Sequence, residues 1–225
     1  MNALEIARTI DHTNLKPDTT IAEIELLCAE ALEYKFASVC VLPYYVNLCK
    51  KVLEETDMRI TTVAGFPLGA FALGTKARSA ESSISAGADE IDMVINIAAL
   101  KNRDFSLVEA DIAEVVRVCK SAGKTSKVII ETCLLTEGEK AAMTKIVGNS
   151  GADFIKTSTG FSKSGATVSD ILLINSIKSE HLKIKASAGI RTAKFTLELI
   201  KAGAERIGTS SSVDIMNELD KQKQT

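Results

Sequence analysis

Stretches of helical spacing alternate with short apolar runs along almost the whole chain. The segment TTIAEIELLCAEALEY (19–34) repeats apolar residues every three or four positions, which predicts an amphipathic helix on a core. Thr20 followed by Glu23 is a capping-box pattern at its start. The segments FSLVEADIAEVVRVCKSAG (105–123) and TAKFTLELIKAG (192–203) show the same spacing, so helices recur throughout the chain.

The helical stretches end in a second recurring pattern, a glycine followed by a short β-rich run. It occurs in SAGADEIDMVIN (85–96), NSGADFIKTS (149–158) and KAGAERIGTS (201–210), and more loosely in SAGKTSKVIIET (121–132). Glycine just past a helix adopts the left-handed conformation without steric cost. Short apolar runs are typical of parallel strands that are covered on both faces.

Eight such runs are strand candidates, and their number decides the fold class. They are IDHTN (10–14), FASVCVL (36–42), ITTVAGF (60–66), EIDMVIN (90–96), KVIIETC (127–133), FIKTSTG (154–160), KIKASAG (183–189) and RIGTSS (206–211). Eight βα units predict an α/β fold of the TIM (β/α)8 barrel type. No linker or low-complexity segment divides the chain, so a single domain over 1–225 is expected. An open doubly wound sheet is the structural alternative, although it usually contains fewer strands.

Composition excludes several partner classes. The 225 residues are 46% hydrophobic and 25% charged, with a formal net charge of −2, so neither nucleic acid nor an anionic membrane is an expected partner. The sequence has no apolar segment of the signal or membrane-spanning type, and a cytoplasmic protein is expected. The five cysteines form no C-x-x-C pair and there are two histidines. We therefore expect reduced thiols, no metal site and no cofactor.

Two lysines lie inside predicted strands, where a charge is unusual. Strand alternation places Lys156 and Lys185 on corresponding faces of neighbouring strands, so they approach each other if these faces point inward. Mutual repulsion and burial then lower an amine pKa, and a neutral amine attacks a carbonyl to form an imine. Asp92 is the best-placed carboxylate for proton transfer. The alternative is that the lysines lie on rims or form structural ion pairs with Asp92 or Glu131, and the residues alone leave both open.

The turns after the last two strands indicate an anion site. ASAGIRT (186–192) and RIGTSSSVDIM (206–216) place small residues just before helices, where backbone N–H groups bind phosphate. Barrels commonly bind phosphate in these two loops. A serine cap needs no ligand, but the two adjacent turns together favour one. The candidates are Gly189, Gly208, Ser210 and Ser211, with Arg191 as a charge partner.

Six motifs together resemble one family. TIDHTNLKPDTT, EIDMVIN, KVIIETCLLT, DFIKTSTGF, IKASAGIRT and RIGTSSS occur in order between about residues 4 and 215, and the chain is similar to the deoxyribose-phosphate aldolases of the short bacterial type. The resemblance implies a class I aldolase that reversibly cleaves 2-deoxy-D-ribose 5-phosphate to D-glyceraldehyde 3-phosphate and acetaldehyde, in deoxyribose catabolism. The implied partners are phosphosugar and aldehyde substrates, and a homodimer or higher homo-oligomer is an open expectation.

The resemblance also implies residue roles. Lys156 is the Schiff-base lysine, Lys185 is the second lysine that perturbs it, and Asp92 is the proton-transfer carboxylate. The residues that fall where family members line the substrate pocket are Asp11, Thr13, Cys40 and Lys127. Those on the phosphate-binding turns are Ala188, Gly189, Gly208, Ser210 and Ser211.

The sequence departs from the family pattern at three places. Ala188 stands where the family usually has the first glycine of a pair, and its methyl group is expected to crowd the phosphate or the lysine. Phe161 occupies a position where some members have a phosphate-directed lysine. The final segment DKQKQT (220–225) lacks the tyrosine that some members use for proton transfer.

Two other functions fit the same barrel and phosphate turns. One is another phosphate-binding barrel enzyme, such as a sugar-phosphate isomerase or a thiazole-synthase-like enzyme. The other is a non-catalytic phosphosugar-binding protein whose lysines only bind anions. Acetaldehyde release separates the first from an aldolase, and lysines with ordinary pKa values would favour the second.

Overall fold

Eight parallel strands form a closed barrel in sequence order in the computed structural model, which describes residues 1–222. The strands are β1 (Ile10–Asn14), β2 (Ser38–Val41), β3 (Arg59–Ala64), β4 (Glu90–Val94), β5 (Thr125–Ile129), β6 (Phe154–Lys156), β7 (Lys183–Ser187) and β8 (Arg206–Thr209). Strand β1 pairs with β2 on one side and with β8 on the other, which closes the sheet. The predicted TIM barrel is confirmed, and the open doubly wound sheet is wrong.

Helices separate the strands and cover the outside of the barrel. They are α1 (Ala3–Ala7), α2 (Ile21–Tyr34), α3 (Val46–Val52), α4 (Thr75–Ser85), α5 (Ile97–Lys101), α6 (Phe105–Ser121), α7 (Glu137–Ser150), α8 (Val168–Ile177), α9 (Ala193–Ala202) and α10 (Ser212–Gln222). The predicted capping box of Thr20 and Glu23 opens α2. Gly151 and Gly203 end α7 and α9 in the left-handed conformation, as the repeated glycine pattern predicts.

The strands alternate between an apolar and a charged environment. Ile91, Val128 and Ile155 are fully buried in the layer between sheet and helices. Burial of each such side chain contributes about 1.5–3 kcal/mol to folding. Glu90 and Asp92 occupy the other face of β4 and point into the barrel, where they are also fully buried. The barrel interior therefore contains buried charges, and these charges must be paired there.

Strand β6 is shorter than the sequence predicts. The run FIKTSTG predicts seven residues, but the strand ends at Lys156. The Thr157 amide still donates to the Lys185 carbonyl oxygen at 3.1 Å. The Thr159 amide instead donates to the Glu131 carboxylate at 3.2 Å. A side chain thus replaces the strand ladder, and the segment turns away from the sheet at the barrel mouth.

None of the helices within residues 1–222 is both long and apolar enough to cross a membrane.

Two expectations concern the end of the sequence. Residues 223–225 lie outside the described part of the chain. The domain boundary at 225 stays a prediction for this reason, and so does the expected lack of a proton-transfer tyrosine in the final segment.

Candidate active site

The pairing of β6 with β7 brings the two predicted lysines together. Lys156 and Lys185 are Cα partners in the parallel register. Their side chains point into the barrel with exposed fractions of 3% and 0%. Both ammonium nitrogens donate to the same oxygen, Oδ2 of Asp92, at 2.7 and 2.8 Å. Their predicted approach is confirmed, and a position on the barrel rim is wrong.

Asp92 joins three lysines. Its second oxygen, Oδ1, accepts from Lys127 at 2.8 Å. Lys127 also lies 2.5 Å from Oε2 of Glu90, two residues earlier on β4. The neighbouring strands β4 and β5 place Asp92 directly opposite Lys127. The carboxylate is therefore fixed from both sides before any ligand arrives.

Asp11 links the other side of the barrel to the same charges. Its Oδ2 accepts from Lys185, and its Oδ1 accepts from Arg206 at 2.6 Å. Arg206 also donates to Oε2 of Glu90 at 3.2 Å. The Ser38 hydroxyl donates to Oδ1 of Asp11 at 2.7 Å. Each oxygen of this buried carboxylate has a charged donor, as buried ion pairs require.

We call these seven buried side chains the interior charge network: Asp11, Glu90, Asp92, Lys127, Lys156, Lys185 and Arg206. It contains three carboxylates and four basic groups. With every group ionised, it carries one positive charge in excess. Loss of one proton from a lysine makes the network neutral, so this arrangement favours one uncharged amine.

The electrostatics select Lys156 as that amine. Burial lowers its pKa most, Asp92 opposes the shift, and repulsion by Lys185 adds to it, so that the net pKa is lowered. Burial also acts against the charge of Lys185, but Asp11 and Asp92 outweigh it and raise the pKa. The pKa of Lys127 is raised in the same way by Asp92 and Glu90. The sequence-based reasoning placed repulsion first, whereas burial is the larger cause.

Asp92 remains ionised among these cations. Burial by itself would raise the pKa of its carboxyl group, but Lys127, Lys156 and Lys185 hold the pKa well below the usual range. Asp92 is thus a permanent acceptor beside the Lys156 nitrogen.

A cavity of about 630 Å³ opens above the network at the carboxyl ends of the strands. Lys156 lines this cavity, together with Thr13, Gly160, Ser187 and Gly208. The other six side chains of the network lie below the cavity surface. The amine with the lowered pKa is therefore the network group that a ligand in the cavity reaches.

The predicted substrate residues divide into two groups. Thr13 lines the cavity, and its hydroxyl donates to the Asp11 carbonyl oxygen at 2.8 Å. Asp11, Cys40 and Lys127 are fully buried and do not line it. Asp11 and Lys127 instead hold the network together. Cys40 packs beside Val63 in the core, and burial raises the pKa of its thiol, which disfavours the reactive thiolate.

Most of the predicted phosphate residues border the same cavity as Lys156. They are Ala188, Gly189, Arg191, Gly208 and Ser210. Ser211 is the exception, since it does not line the cavity and its N–H donates to the Thr209 hydroxyl at 2.9 Å.

The start of α9 differs from the expected anion site. The Ala193 amide donates to the Glu218 carboxylate at 2.7 Å, and the Phe195 amide donates to the Thr192 hydroxyl at 3.2 Å. These helix-terminal donors are already satisfied. The turn 188–191, rather than the first turn of the helix, is what faces the cavity.

Two departures from the family pattern have structural consequences. Ala188 adopts a left-handed conformation with φ +70°, which glycine adopts without steric cost and alanine does not. Its methyl group lies beside Gly160, which also lines the cavity. Phe161 is half exposed and packs edge-to-face against Phe66, with ring centroids 5.2 Å apart. At this position, where some family members have a phosphate-directed lysine, the chain thus has an aromatic contact and no amine.

Two functional residues, Glu90 and Arg206, were not singled out by the sequence patterns, and Glu131 was considered only as an ion-pair partner of the lysines. Glu90 and Arg206 belong to the charge network, and Glu131 fixes Thr159 through its amide and hydroxyl. The period of two in EIDMVIN and RIGTSS was a usable signal, because it puts Glu90 on the face of Asp92 and Arg206 on the face of Gly208. Glu131 contacts Thr159 and not the two lysines, so the proposed ion pair with Glu131 is wrong.

Within residues 1–222, no group of histidine, cysteine, aspartate or glutamate side chains is placed to hold a metal ion.

Known proteins share both the sequence and the fold. Residues 6–216 match the family described as DeoC/LacD family aldolase. A deoxyribose-phosphate aldolase from Caldicellulosiruptor saccharolyticus is 52% identical over 219 residues, which cover 97% of this chain and all of that protein (100%). One from Thermococcus kodakarensis is 52% identical over 218 residues, covering 96% and 97% of the two chains.

A solved aldolase structure is also similar to this chain in fold and sequence. Deoxyribose phosphate aldolase from Aeropyrum pernix, described as a unique tetrameric structure, superimposes with a TM-score of 0.90. It is 30% identical, and the match covers 97% of this chain and 93% of that one. The family match over residues 6–216 spans all eight strands of the barrel.

Proposed function

The chain belongs to the DeoC/LacD family of aldolases, and from that premise we propose that it is a deoxyribose-phosphate aldolase. It reversibly cleaves 2-deoxy-D-ribose 5-phosphate to D-glyceraldehyde 3-phosphate and acetaldehyde. The observation that carries the proposal is the position of Lys156. This lysine has a lowered pKa and lies at the surface of the cavity, whereas Lys127 and Lys185 have raised pKa values and lie below it.

The chemistry begins with attack of the neutral Lys156 amine on the aldehyde carbon C1 of the open-chain sugar. Loss of water from the carbinolamine gives an iminium ion, which withdraws electrons from C2. The C2–C3 bond then breaks, the C3 hydroxyl loses its proton, and glyceraldehyde 3-phosphate leaves. Protonation of the remaining enamine at C2 and hydrolysis of the imine release acetaldehyde and restore the amine.

Asp92 and Lys185 support this amine in different ways. Asp92 Oδ2 lies 2.7 Å from the Lys156 nitrogen, where a proton leaves and returns as the imine forms and is hydrolysed. Lys185 stays charged and repels a proton on Lys156. An ordinary lysine has a pKa of about 10.4, so that about one in 2,500 is neutral at pH 7. Lowering that pKa by burial and repulsion increases the reactive fraction.

The phosphate group of the substrate occupies the two turns that border the same cavity as Lys156. Gly189, Gly208 and Ser210 supply small residues there, and the exposed Arg191 supplies a positive charge. These roles follow from the shared cavity and from the preference of glycine-rich barrel turns for phosphate. We further propose that the whole chain, 1–225, acts as one cytoplasmic aldolase domain that assembles into a homo-oligomer, as the tetrameric relative does.

Covalent trapping tests the proposal. Acetaldehyde with sodium borohydride at neutral pH is expected to convert Lys156 to its ethyl derivative, located by peptide mass spectrometry. Lys156→Ala should remove the adduct and abolish acetaldehyde release from 2-deoxyribose 5-phosphate. Lys163→Ala is the matched control, because Lys163 is an exposed lysine of the same loop region. Labelling that is spread over exposed lysines and survives in Lys156→Ala would contradict the assignment.

A further inference from the structure

His12 has no part in the proposed chemistry, yet it joins three elements behind the phosphate turns. It follows Asp11 in β1, lines the cavity and is almost completely buried. Its Nε2 lies 2.8 Å from Oε2 of Glu30 on α2. Its Nδ1 lies 3.0 Å from Oγ of Ser212, the first residue of α10. One ring therefore connects the first strand with the helix that follows the last strand.

The protonation state of His12 follows from its surroundings. Burial lowers the pKa of the imidazole, and the bond to Glu30 offsets this only in part. A neutral ring has one donor and one acceptor, and a carboxylate accepts only. Nε2 therefore carries the proton and donates to Glu30, and Nδ1 accepts from the Ser212 hydroxyl.

The connection continues from Ser212 into both phosphate turns. The single Ser212 hydroxyl proton lies between two acceptors and is shared by them, His12 Nδ1 at 3.0 Å and the Thr209 carbonyl oxygen at 3.2 Å. The Thr209 hydroxyl accepts from the Ser211 amide at 2.9 Å and donates to the Ile190 carbonyl oxygen at 2.6 Å. In the closing pair of strands, His12 is the Cα partner of Thr209. The turn 208–211 and the turn 188–191 are thus fastened to each other and, through His12, to β1.

We propose that His12 is a positioning residue that holds the two phosphate turns at the spacing that a phosphate group requires. It acts through Ser212 and Thr209 and does not contact the reacting carbon atoms. The inference rests on the proposed function, because it assigns the anion at these turns to the substrate phosphate. Since a phosphate is bound by several donors at once, a small shift of one turn against the other weakens binding.

The Glu30–His12–Ser212 arrangement also has the order of a hydrolase triad. Ser212 is fully buried and does not line the cavity, so its hydroxyl is not placed to attack a substrate. The linkage holds a turn in position and provides no nucleophile.

The test compares variants of the linkage for phosphate affinity and for chemistry. His12→Gln keeps a donor toward Glu30 but loses the acceptor for Ser212, and Ser212→Ala removes the same bond from the other side. Both should weaken binding of inorganic phosphate, followed by 31P NMR titration, by about fivefold to tenfold, as expected for one buried hydrogen bond. KM for 2-deoxyribose 5-phosphate should rise by the same factor, while kcat stays within about twofold.

Four controls separate positioning from damage. Unphosphorylated 2-deoxyribose should keep its kcat/KM in both variants, and acetaldehyde trapping on Lys156 should be unchanged. His12→Asn, which places an amide oxygen near the Nδ1 position, should restore part of the phosphate affinity. His181→Gln alters the other histidine, whose Nε2 lies 3.1 Å from the Gly148 carbonyl oxygen of α7 and which does not line the cavity, and this variant should change nothing.

Two outcomes would overturn the inference. One is unchanged phosphate affinity in His12→Gln and Ser212→Ala. The other is an equal loss of activity toward the phosphorylated and unphosphorylated sugars, which would mean general damage. If His12→Gln does not fold, Ser212→Ala decides alone. Failure of the wild-type protein to cleave 2-deoxyribose 5-phosphate would refute the proposed function, whereas the phosphate titration still judges the linkage.

Discussion

Replacement of Lys185 by methionine separates the causes that lower the pKa of Lys156. Methionine has nearly the length of lysine and no charge, so the substitution Lys185→Met removes the repulsion and keeps most of the packing. It also leaves Oδ2 of Asp92 to interact with Lys156 alone. Both effects raise the pKa of Lys156, whereas its burial remains.

The size of the effect follows from the geometry. The two ammonium nitrogens bond one oxygen at 2.7 and 2.8 Å, so they are close neighbours. At a separation of about 5 Å and an effective dielectric constant of about 20, Coulomb's law gives about 3 kcal/mol of repulsion. One pKa unit corresponds to about 1.4 kcal/mol, so the pKa of Lys156 should rise by about two units in Lys185→Met.

The assay is the rate of borohydride trapping with acetaldehyde, measured from pH 5 to 10. The midpoint of the profile should move upward by about two units, and the rate at neutral pH should fall about a hundredfold. Lys183→Met is the matched control on the same strand. Lys183 is exposed at the opposite end of β7, with its nitrogen 5.7 Å from the centre of the Phe154 ring, and its substitution should leave the profile in place.

An unmoved profile in a folded Lys185→Met protein would refute the reasoning. Burial alone would then account for the reactive amine, and the second lysine would serve only to balance Asp11 and Asp92. Folding is checked by circular dichroism, because the substitution removes one cation from a buried network and leaves its carboxylates less compensated.

Three further predictions follow from the same structure. Burial alone would raise the pKa values of Asp11, Glu90 and Asp92, but neighbouring cations lower them, so their stabilisation is present above about pH 5 and is lost as pH falls. The free energy of unfolding, from urea titrations, should decrease by up to about 4 kcal/mol per pH unit below pH 4, and a flat profile would contradict the pairing. Ala188→Gly should raise the free energy of unfolding by about 0.5–1 kcal/mol. The substitution relieves the strain of a left-handed alanine, and this gain exceeds the cost of the greater chain entropy that glycine gives the unfolded state. A lower melting temperature would oppose this. Glu131→Gln should destabilise the protein by about 2 kcal/mol and accelerate amide hydrogen exchange at residue 159, and unchanged exchange would argue against this anchor.

The fold was predictable because its signals are local. Helical spacing, the glycine at each helix end and the number of apolar runs each depend on neighbouring residues, and together they require a barrel. The strand ends were less predictable. Strand β6 stops at Lys156 because Glu131, more than twenty residues earlier, takes the Thr159 amide, and no local pattern contains that contact.

The site was predictable in part. Strand alternation placed Lys156 and Lys185 side by side, and the same alternation put Asp92 of β4 on the inward face, where it reaches both amines although β5 lies between. The sequence could not say which lysine stays charged. That depends on Asp11, which lies 174 residues from Lys185 and reaches it only when the barrel closes. Burial of the two amines is likewise a property of the assembled barrel.

The seam between β1 and β8 has a consequence for how the protein is made. Asp11 belongs to the first strand to emerge during synthesis, and its cation Arg206 follows 195 residues later. Contacts this distant in sequence form late and slowly. Until they form, Lys156 is an ordinary protonated lysine on an unfinished chain. The amine of Lys156 in the nascent polypeptide is therefore no more reactive than that of any other lysine, and its lowered pKa appears together with completion of the cylinder.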